Sequence, residues 1–211
     1  MSRNICIDID GTMSDPYFFI PYLNKLTGKI LTKDDYTSID WNDTYGPEFK
    51  DIYENFDDKY TYIYNEVELQ KGVKEVIDML IKNGDNVYFV TARSKTIDKV
   101  TRQWLESQGI DSSKVHSLSG NEGKVEMARK LSCDVFIEDD PNNIRNLLKA
   151  GFNVIAMESN YNKNVLNELR EKSNEIDKNN KESFNERIRK KIKKLKVAKN
   201  WLDVKDILTM N

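Results

Sequence analysis

Histidine is almost missing from this chain of 211 residues, which holds only His116. That argues against a histidine-based catalytic triad and against a histidine-rich zinc site. Cysteine is nearly as scarce, with Cys6 and Cys133 alone. Both fall in apolar, strand-like runs, so they read as buried free thiols, and nothing suggests a disulfide framework. A reducing, cytoplasmic location is the expectation. Charge of one sign is lacking too: 33 basic residues meet 35 acidic ones, and the formal charge of −2 singles out neither nucleic acid nor a membrane surface. No apolar run is long enough to span a bilayer. The first strand starts so close to Met1 that no signal peptide is expected before it. Internal repeats are absent. What remains is a chain able to bury about 70% of its extended surface, in one domain with a subdomain.

Five segments read as short strands: 4–9, 86–91, 114–117, 135–138 and 153–157. Helical stripes separate most of them. Val73, Val76, Ile77, Leu80 and Ile81 form one, closed by Gly84. Ile97, Val100, Trp104 and Leu105 form another, closed by Gly109. Val125, Ala128 and Leu131 form a third, and Ile144, Leu147 and Leu148 a fourth, closed by Gly151. Apolar spacing of three and four ended by glycine is the signature of amphipathic helices. Strand and helix in alternation predict an α/β fold: a Rossmann-like parallel sheet with helices on both faces.

Two stretches break that rhythm. Residues 13–70 are too long for an ordinary connection and are rich in aromatics. They read as a small helical cap inserted after the first strand, so that 1–12 and 71–211 make the core. Most of these aromatics are expected to form the cap's own interior. The second stretch, 162–199, is highly charged, with basic residues crowded at Arg187, Arg189, Lys190, Lys191, Lys193, Lys194, Lys196 and Lys199. Ile188, Ile192 and Leu195 lie at helical spacing, so it reads as a solvated helix rather than a nucleic-acid face. Trp201, Leu202, Val204, Ile207 and Leu208 then read as a terminal helix docking on the domain.

The ends of the strands carry the polar chemistry. The first runs into Asp8-Ile9-Asp10-Gly11-Thr12. Asp8 and Asp10 share one side of an ideal strand. Two carboxylates about 4 Å apart repel by roughly 4 kcal/mol at an effective dielectric near 20, so they call for a proton, donors or a cation. Gly11 permits a sharp bend and close approach of a ligand, and Thr12 offers a hydroxyl and an N–H to a phosphate oxygen. Asp-Gly is also the commonest turn dipeptide. Thr91 ends the second strand and, with the N–H groups after it, suits phosphoryl oxygens. Lys124 opens a helix after the flexible segment 119–123, within reach of the acids. The fourth strand runs into Glu138-Asp139-Asp140-Pro141, three acids that suit either a cation or the capping of a helix begun by Pro141. Oxygen donors without a cysteine or histidine cluster favour Mg²⁺ over zinc.

In these residues the chain resembles the haloacid dehalogenase-like superfamily of phosphohydrolases. Asp8 to Thr12 match its first motif, Thr91 its second, Lys124 its third and Glu138-Asp139-Asp140 its acidic fourth, in order, between residues 4 and 157. Within the superfamily the chain is most similar to the deoxyribonucleotidase-like group of 5′-nucleotidases. The aromatic cap after the first motif, Thr91-Ala92-Arg93, the form of the fourth motif, Tyr161-Asn162 and Asn200-Trp201 carry that likeness. The resemblance implies a Mg²⁺-dependent phosphomonoester hydrolase. In it Asp8 is the nucleophile and Asp10 the general acid and base. Thr12, Thr91, Ala92 and Lys124 hold the phosphoryl group. Asp8, Asp139 and the backbone carbonyl of Asp10 hold the metal, with Glu138 or Asp140 behind them. The implied partner is a small phosphorylated metabolite, a nucleoside 5′-monophosphate, whose base could stack on Phe18, Phe19, Tyr36, Trp41 or Tyr45. A sugar phosphate, a polynucleotide 3′-phosphate end, or a non-catalytic binding role on the same scaffold are the alternatives.

Overall fold

The computed structural model describes residues 2–178 and 194–210. Six strands form one parallel sheet: β1 (Asn4–Ile7), β2 (Asn86–Thr91), β3 (Val115–Ser117), β4 (Val135–Glu138), β5 (Asn153–Met157) and β6 (Leu195–Ala198). Their order across the sheet is β3-β2-β1-β4-β5-β6. β1 is therefore central, flanked by β2 and β4, and the carboxyl ends of all three meet at one edge. Ligands gather at that edge in open α/β sheets.

Alternation along β1 divides the core between the two faces. Ile5 and Ile7 join a cluster with α5 (Val73–Lys82), α6 (Asp98–Ser107) and α10 (Trp201–Thr209), through Val73, Ile77, Leu80, Trp104, Leu105, Trp201, Val204 and Leu208. Cys6 faces the other way, with Phe136, Ala128 of α7 (Lys124–Lys130), Ile144 and Leu147 of α8 (Pro141–Ala150), and Leu166 of α9 (Lys163–Lys178). The expected sheet with helices on both faces is the one observed, and both cysteines are buried free thiols. Among the described residues, no helix is long and apolar enough to cross a membrane.

Two expectations need correction. The first strand leaves the ladder after Ile7 instead of reaching Ile9. Asp8 N still donates to Ile137 O (3.0 Å), but Met13 N and Ser14 N then close a turn back onto Ile9 O. Leu195, expected on a helical stripe, lies in the edge strand β6, paired with Val154. Lysine on a short edge strand is a common guard against further pairing, and in β6 it hid the alternation. Ile188, Ile192 and the basic residues 187–193 lie outside the described residues.

Residues 13–70 fold into α1 (Ile20–Thr27), α2 (Trp41–Tyr45), α3 (Lys50–Glu54), α4 (Phe56–Lys59) and short 3-10 turns. Their own interior is aromatic: Tyr36, Tyr45, Phe56 and Tyr64 are buried together. The two ends of the segment are tied to each other by a bridge between Ser14 and Leu69 and by Gln70 N donating to Met13 O (2.7 Å).

At the opposite edge of the sheet, Arg3 joins the starts of β1 and β2. Its backbone N and Nε donate to Asp85 Oδ1, and Nη2 donates to Oδ2 (2.7 Å). The Arg3 side chain holds the Asp85 carboxyl below the usual carboxylate range. Asp85→Asn should lower unfolding free energy by on the order of 1–3 kcal/mol. Because the folded pKa is depressed, this stabilisation is present above about pH 3.8 and lost as pH falls through the folded value. Chemical denaturation of both proteins at pH 7 and near pH 3 would test it. A gap that persists unchanged at the lower pH counts against the pairing.

Candidate active site

The sheet brings the acidic motifs together. Asp8, just past β1, and Glu138, at the end of β4, share one ammonium: Lys124 Nζ donates to Asp8 Oδ1 (2.6 Å) and to Glu138 Oε2 (2.8 Å). All three side chains are buried. Glu138 Oε1 accepts the backbone N–H groups of Asp139 and Asp140 (3.1 Å each), so both its oxygens are committed. Asp139 turns toward the first motif. Its Oδ1 accepts from Thr12 Oγ1 (2.7 Å), its Oδ2 from the Tyr161 hydroxyl, and its carbonyl from Asn162 Nδ2 (2.8 Å). Asp140 caps α8, accepting Asn142 N and Asn143 N on Oδ1, and takes Asn121 Nδ2 on Oδ2 (2.9 Å). Of the two acids proposed to stand behind a metal, Glu138 lies against Lys124 and the motif backbone. Asp140 serves the helix.

Ligand oxygens of Asp8, Glu138 and Asp139 lie within 4.8 Å of one another. Burial pushes the Asp8 carboxyl up, with Lys124 opposing. Burial and the neighbouring acids push Asp139 up as well, and burial lifts Glu138 to about 8. Burial alone would lower Lys124, but Asp8 and Glu138 raise it. Ionising all three carboxylates against one ammonium would leave two negative charges, which one divalent cation would balance. An all-oxygen donor set suits a hard ion such as Mg²⁺. Asp8 and Asp139 could hold it, since the Glu138 carboxylate already accepts three hydrogen bonds and that of Asp139 two.

Gly11 makes the approach possible. At its φ of +83°, a Cβ would begin 2.2 Å from Asp139 Oδ2 and 2.6 Å from the Tyr161 hydroxyl. Thr12 is fully buried and gives its hydroxyl to Asp139, not to the open side where a phosphate oxygen was expected. The Thr12 carbonyl accepts Trp201 Nε1 (2.9 Å), so the C-terminal helix braces the first motif. Thr91 is buried beside Arg93, whose N donates to Thr91 Oγ1 (3.2 Å). The carbonyls of Thr91, Ala92 and Arg93 accept Leu118 N, Gly120 N and Ser119 N, stitching the loops after β2 and β3 together. Asp10 departs from the expected pairing with Asp8. Its carboxylate is held from the other side by Arg93 at 2.7 and 2.8 Å.

A cavity of about 160 Å³ opens on Asp10, Gly11 and Asp139, walled by Phe19, Tyr36, Trp41 and Tyr161, with Asp15 at its rim. Three of the five aromatics expected over the acids therefore line it. Tyr45 does not: it is fully buried inside the helical segment. Phe18 packs between Phe19 and Tyr22 and is not part of the wall. A larger cleft of about 420 Å³ lies between α7 and α8, where Lys124 is the one wall residue shared with the acidic cluster.

Sequence reasoning did not assign Arg93, Tyr161 or Asn162 to the site. The resemblance singles out Thr91-Ala92-Arg93 and Tyr161-Asn162 without giving these three a role, because an arginine after a strand or a Tyr-Asn pair in a loop shows nothing of its partner.

With this geometry established, comparison with known proteins identifies the lineage. Residues 2–180 match the model of the family described as 5′ nucleotidase, deoxy (pyrimidine), cytosolic type C protein. The chain belongs to that family. A protein named nucleotidase from Clostridium acetobutylicum is 38% identical over 166 residues, covering 78% of this chain and 85% of the relative. A second, from Halalkalibacterium halodurans and also named as a nucleotidase, is 30% identical, covering 74% and 80%. Among solved structures, a phosphonoacetaldehyde hydrolase-like protein of Oleispira antarctica superposes with a TM-score of 0.61 at 16% identity, covering 99% of this chain and 92% of that one. A haloacid dehalogenase-like protein of Agrobacterium tumefaciens gives the same TM-score at 12% identity, covering 100% and 99%. At those identities the likeness is one of fold. The enzyme class expected from the motifs, a phosphatase of the haloacid dehalogenase-like type, is the class of this family.

Gly11→Ala should strain the left-handed backbone and displace Asp139. We expect Mg²⁺ to raise the melting temperature of the parent protein and to raise that of the variant less or not at all. An undiminished Mg²⁺ response would mean that Asp139 does not need this approach.

Proposed function

We propose that the chain is a Mg²⁺-dependent 5′-nucleotidase that works through an aspartyl-phosphate. The observation that carries this reading is the Lys124 ammonium held between Asp8 and Glu138, with Asp139 beside them. Asp8 attacks phosphorus while Asp10 gives a proton to the leaving ester oxygen, so one difficult displacement becomes two easier ones. Asp10 then takes a proton from water, which attacks the phosphorus of the acyl phosphate and frees Asp8 and inorganic phosphate. Lys124 keeps Asp8 ionised and neutralises phosphoryl charge. The Thr91 hydroxyl and the backbone N–H of Ala92 would receive phosphoryl oxygens, while the next two N–H groups donate within the protein, Arg93 N to Thr91 Oγ1 and Ser94 N to Asp57 Oδ2. Mg²⁺, held by Asp8, Asp139 and the Asp10 carbonyl, would supply further neutralisation of the phosphoryl group. Fixed charge of this kind dominates phosphoryl transfer.

The wall of Phe19, Tyr36, Trp41 and Tyr161 supports a substrate with a flat, apolar part, and the family description favours a pyrimidine deoxynucleoside 5′-monophosphate. Buried Cys6 and Cys133 are in keeping with action in a reducing cytosol.

Asp8→Asn should lower phosphate release by more than about a thousandfold and leave no phosphorylated protein detectable by mass spectrometry, while the melting temperature stays near that of the parent. Turnover retained by this variant refutes the nucleophile. A second expectation comes from charge. The cavity presents Asp10, Asp15 and Asp139, and among the described residues no basic one is in its wall. A nucleoside 3′,5′-bisphosphate should therefore be hydrolysed at least about tenfold less efficiently than the 5′-monophosphate, since like charges oppose binding. Equal kcat/KM for the two would place the leaving group elsewhere.

A further inference from the structure

Arg93 has no part in the scheme above, yet it is buried and held on several sides. Its side chain is 1% exposed, while that of Asp10 is 25% exposed. The guanidinium meets Asp10 as a fork, Nε to Oδ2 (2.8 Å) and Nη2 to Oδ1 (2.7 Å). Two rings enclose it, Tyr64 with its centroid 4.5 Å from Cζ and Trp104 at 5.0 Å. Each ring is fixed in turn. Trp104 Nε1 donates to Val67 O (2.8 Å). The Tyr64 hydroxyl donates to Asp57 Oδ1, and Asp57 Oδ2 accepts Ser94 N (2.8 Å), next to Arg93 itself. The remaining nitrogen, Nη1, is buried without a hydrogen-bond partner among the described residues.

We infer that Arg93 is a positioning residue that sets the orientation of Asp10 toward the leaving-group oxygen. A buried ion pair adds little net stability, because desolvation offsets attraction, and an unpartnered Nη1 adds to the penalty. What the arrangement does supply is direction. A bidentate fork fixes the plane of the carboxylate, as a lysine cannot. Closed off by two rings, Arg93 does not reach the cavity, so it acts through Asp10 and not on the substrate. Tyr64 and Asp57 belong to the inserted segment, so that segment helps to aim the acid as well as to wall the pocket.

This inference rests on the proposed role of Asp10 as general acid, and the test separates the two. Proton donation matters most for a poor leaving group, and kcat/KM reports only the steps through formation of the aspartyl-phosphate. Full-length protein with Mg²⁺ is assayed on p-nitrophenyl phosphate, phenyl phosphate and a pyrimidine deoxynucleoside 5′-monophosphate. Arg93→Lys and Arg93→Ala should lower kcat/KM by on the order of 100-fold on the nucleotide and by less than about tenfold on p-nitrophenyl phosphate, with phenyl phosphate between. Added guanidinium should restore part of the nucleotide activity of Arg93→Ala. Equal losses on all three substrates, no loss, or failure of both variants to fold would overturn the inference. Asp10→Asn is the control. If it loses no more on the nucleotide than on p-nitrophenyl phosphate, the acid assignment itself fails. If it shows the split and the Arg93 variants do not, only the present inference falls.

Discussion

One buried ammonium organises the sheet edge. Lys124 lies between Asp8 and Glu138, all three out of water. Neither carboxylate would remain ionised there without a counter-charge, since burial alone pushes both toward the neutral form. The parallel sheet makes the arrangement affordable in geometric terms. β1 and β4 are hydrogen-bonded neighbours, so their carboxyl ends deliver Asp8 and Glu138 side by side. α7 begins at Lys124, after a loop that carries the chain over that same edge. Removing Lys124 would leave two buried carboxylates uncompensated, which is the expensive way to break an ion pair, whereas removing one acid leaves the ammonium paired with the other.

The inserted helices are fastened to the core on both sides of the cavity. On the Asp139 side, Asn160 N donates to the Tyr17 hydroxyl and Asn160 Nδ2 donates to Lys33 O, while the Tyr36 and Tyr161 rings meet edge to face. On the Asp10 side, Asp57 accepts Ser94 N and Asp58 accepts Thr96 Oγ1. Phe19, Tyr36 and Trp41 are thereby held over the acids, with Trp41 Nε1 donating to the Tyr36 hydroxyl (2.6 Å). The polar edges of the wall are engaged, Trp41 Nε1 with the Tyr36 hydroxyl and the Tyr161 hydroxyl with Asp139. A ligand would meet ring faces and carboxylates, not loose hydroxyls.

Legibility in the sequence followed the range of the signal. Strands β1 to β5 were readable because buried parallel strands are short continuous apolar runs bounded by turns. The central helices were readable from apolar residues three and four apart. β6 was not: Leu195, Lys196 and Val197 alternate over too few residues, inside a lysine-rich stretch, to distinguish strand from helix. The acids were readable because carboxylates at the ends of neighbouring strands must converge. The partners that orient them were not. Arg93 to Asp10, Tyr161 to Asp139 and Trp201 to Thr12 span 83, 22 and 189 residues, and nothing local in the chain announces such a contact. The partner of the Thr12 hydroxyl, Asp139, is equally remote, 127 residues along the chain.

The run Glu138-Asp139-Asp140 shows why adjacency in sequence says little about shared chemistry. The chain passes from strand to helix across these three residues, and their side chains diverge. Glu138 still obeys the strand and points to Lys124. Asp140 already obeys the helix, with an extended backbone at the N-cap and its Oδ1 on the first free N–H groups of α8. Only Asp139, between the two, faces the first motif. Its lone pairs beyond those taken by Thr12 and Tyr161 remain for a cation, as a carboxylate has room for about four contacts. Exchanging the roles of Glu138 and Asp140 is therefore not a matter of charge. A shorter acid at 138 would fall short of Lys124, and a longer one at 140 would fit the cap geometry poorly. The acidic triplet is one electrostatic cluster built from three separate structural demands: an ion pair, a link to the first motif and a helix cap.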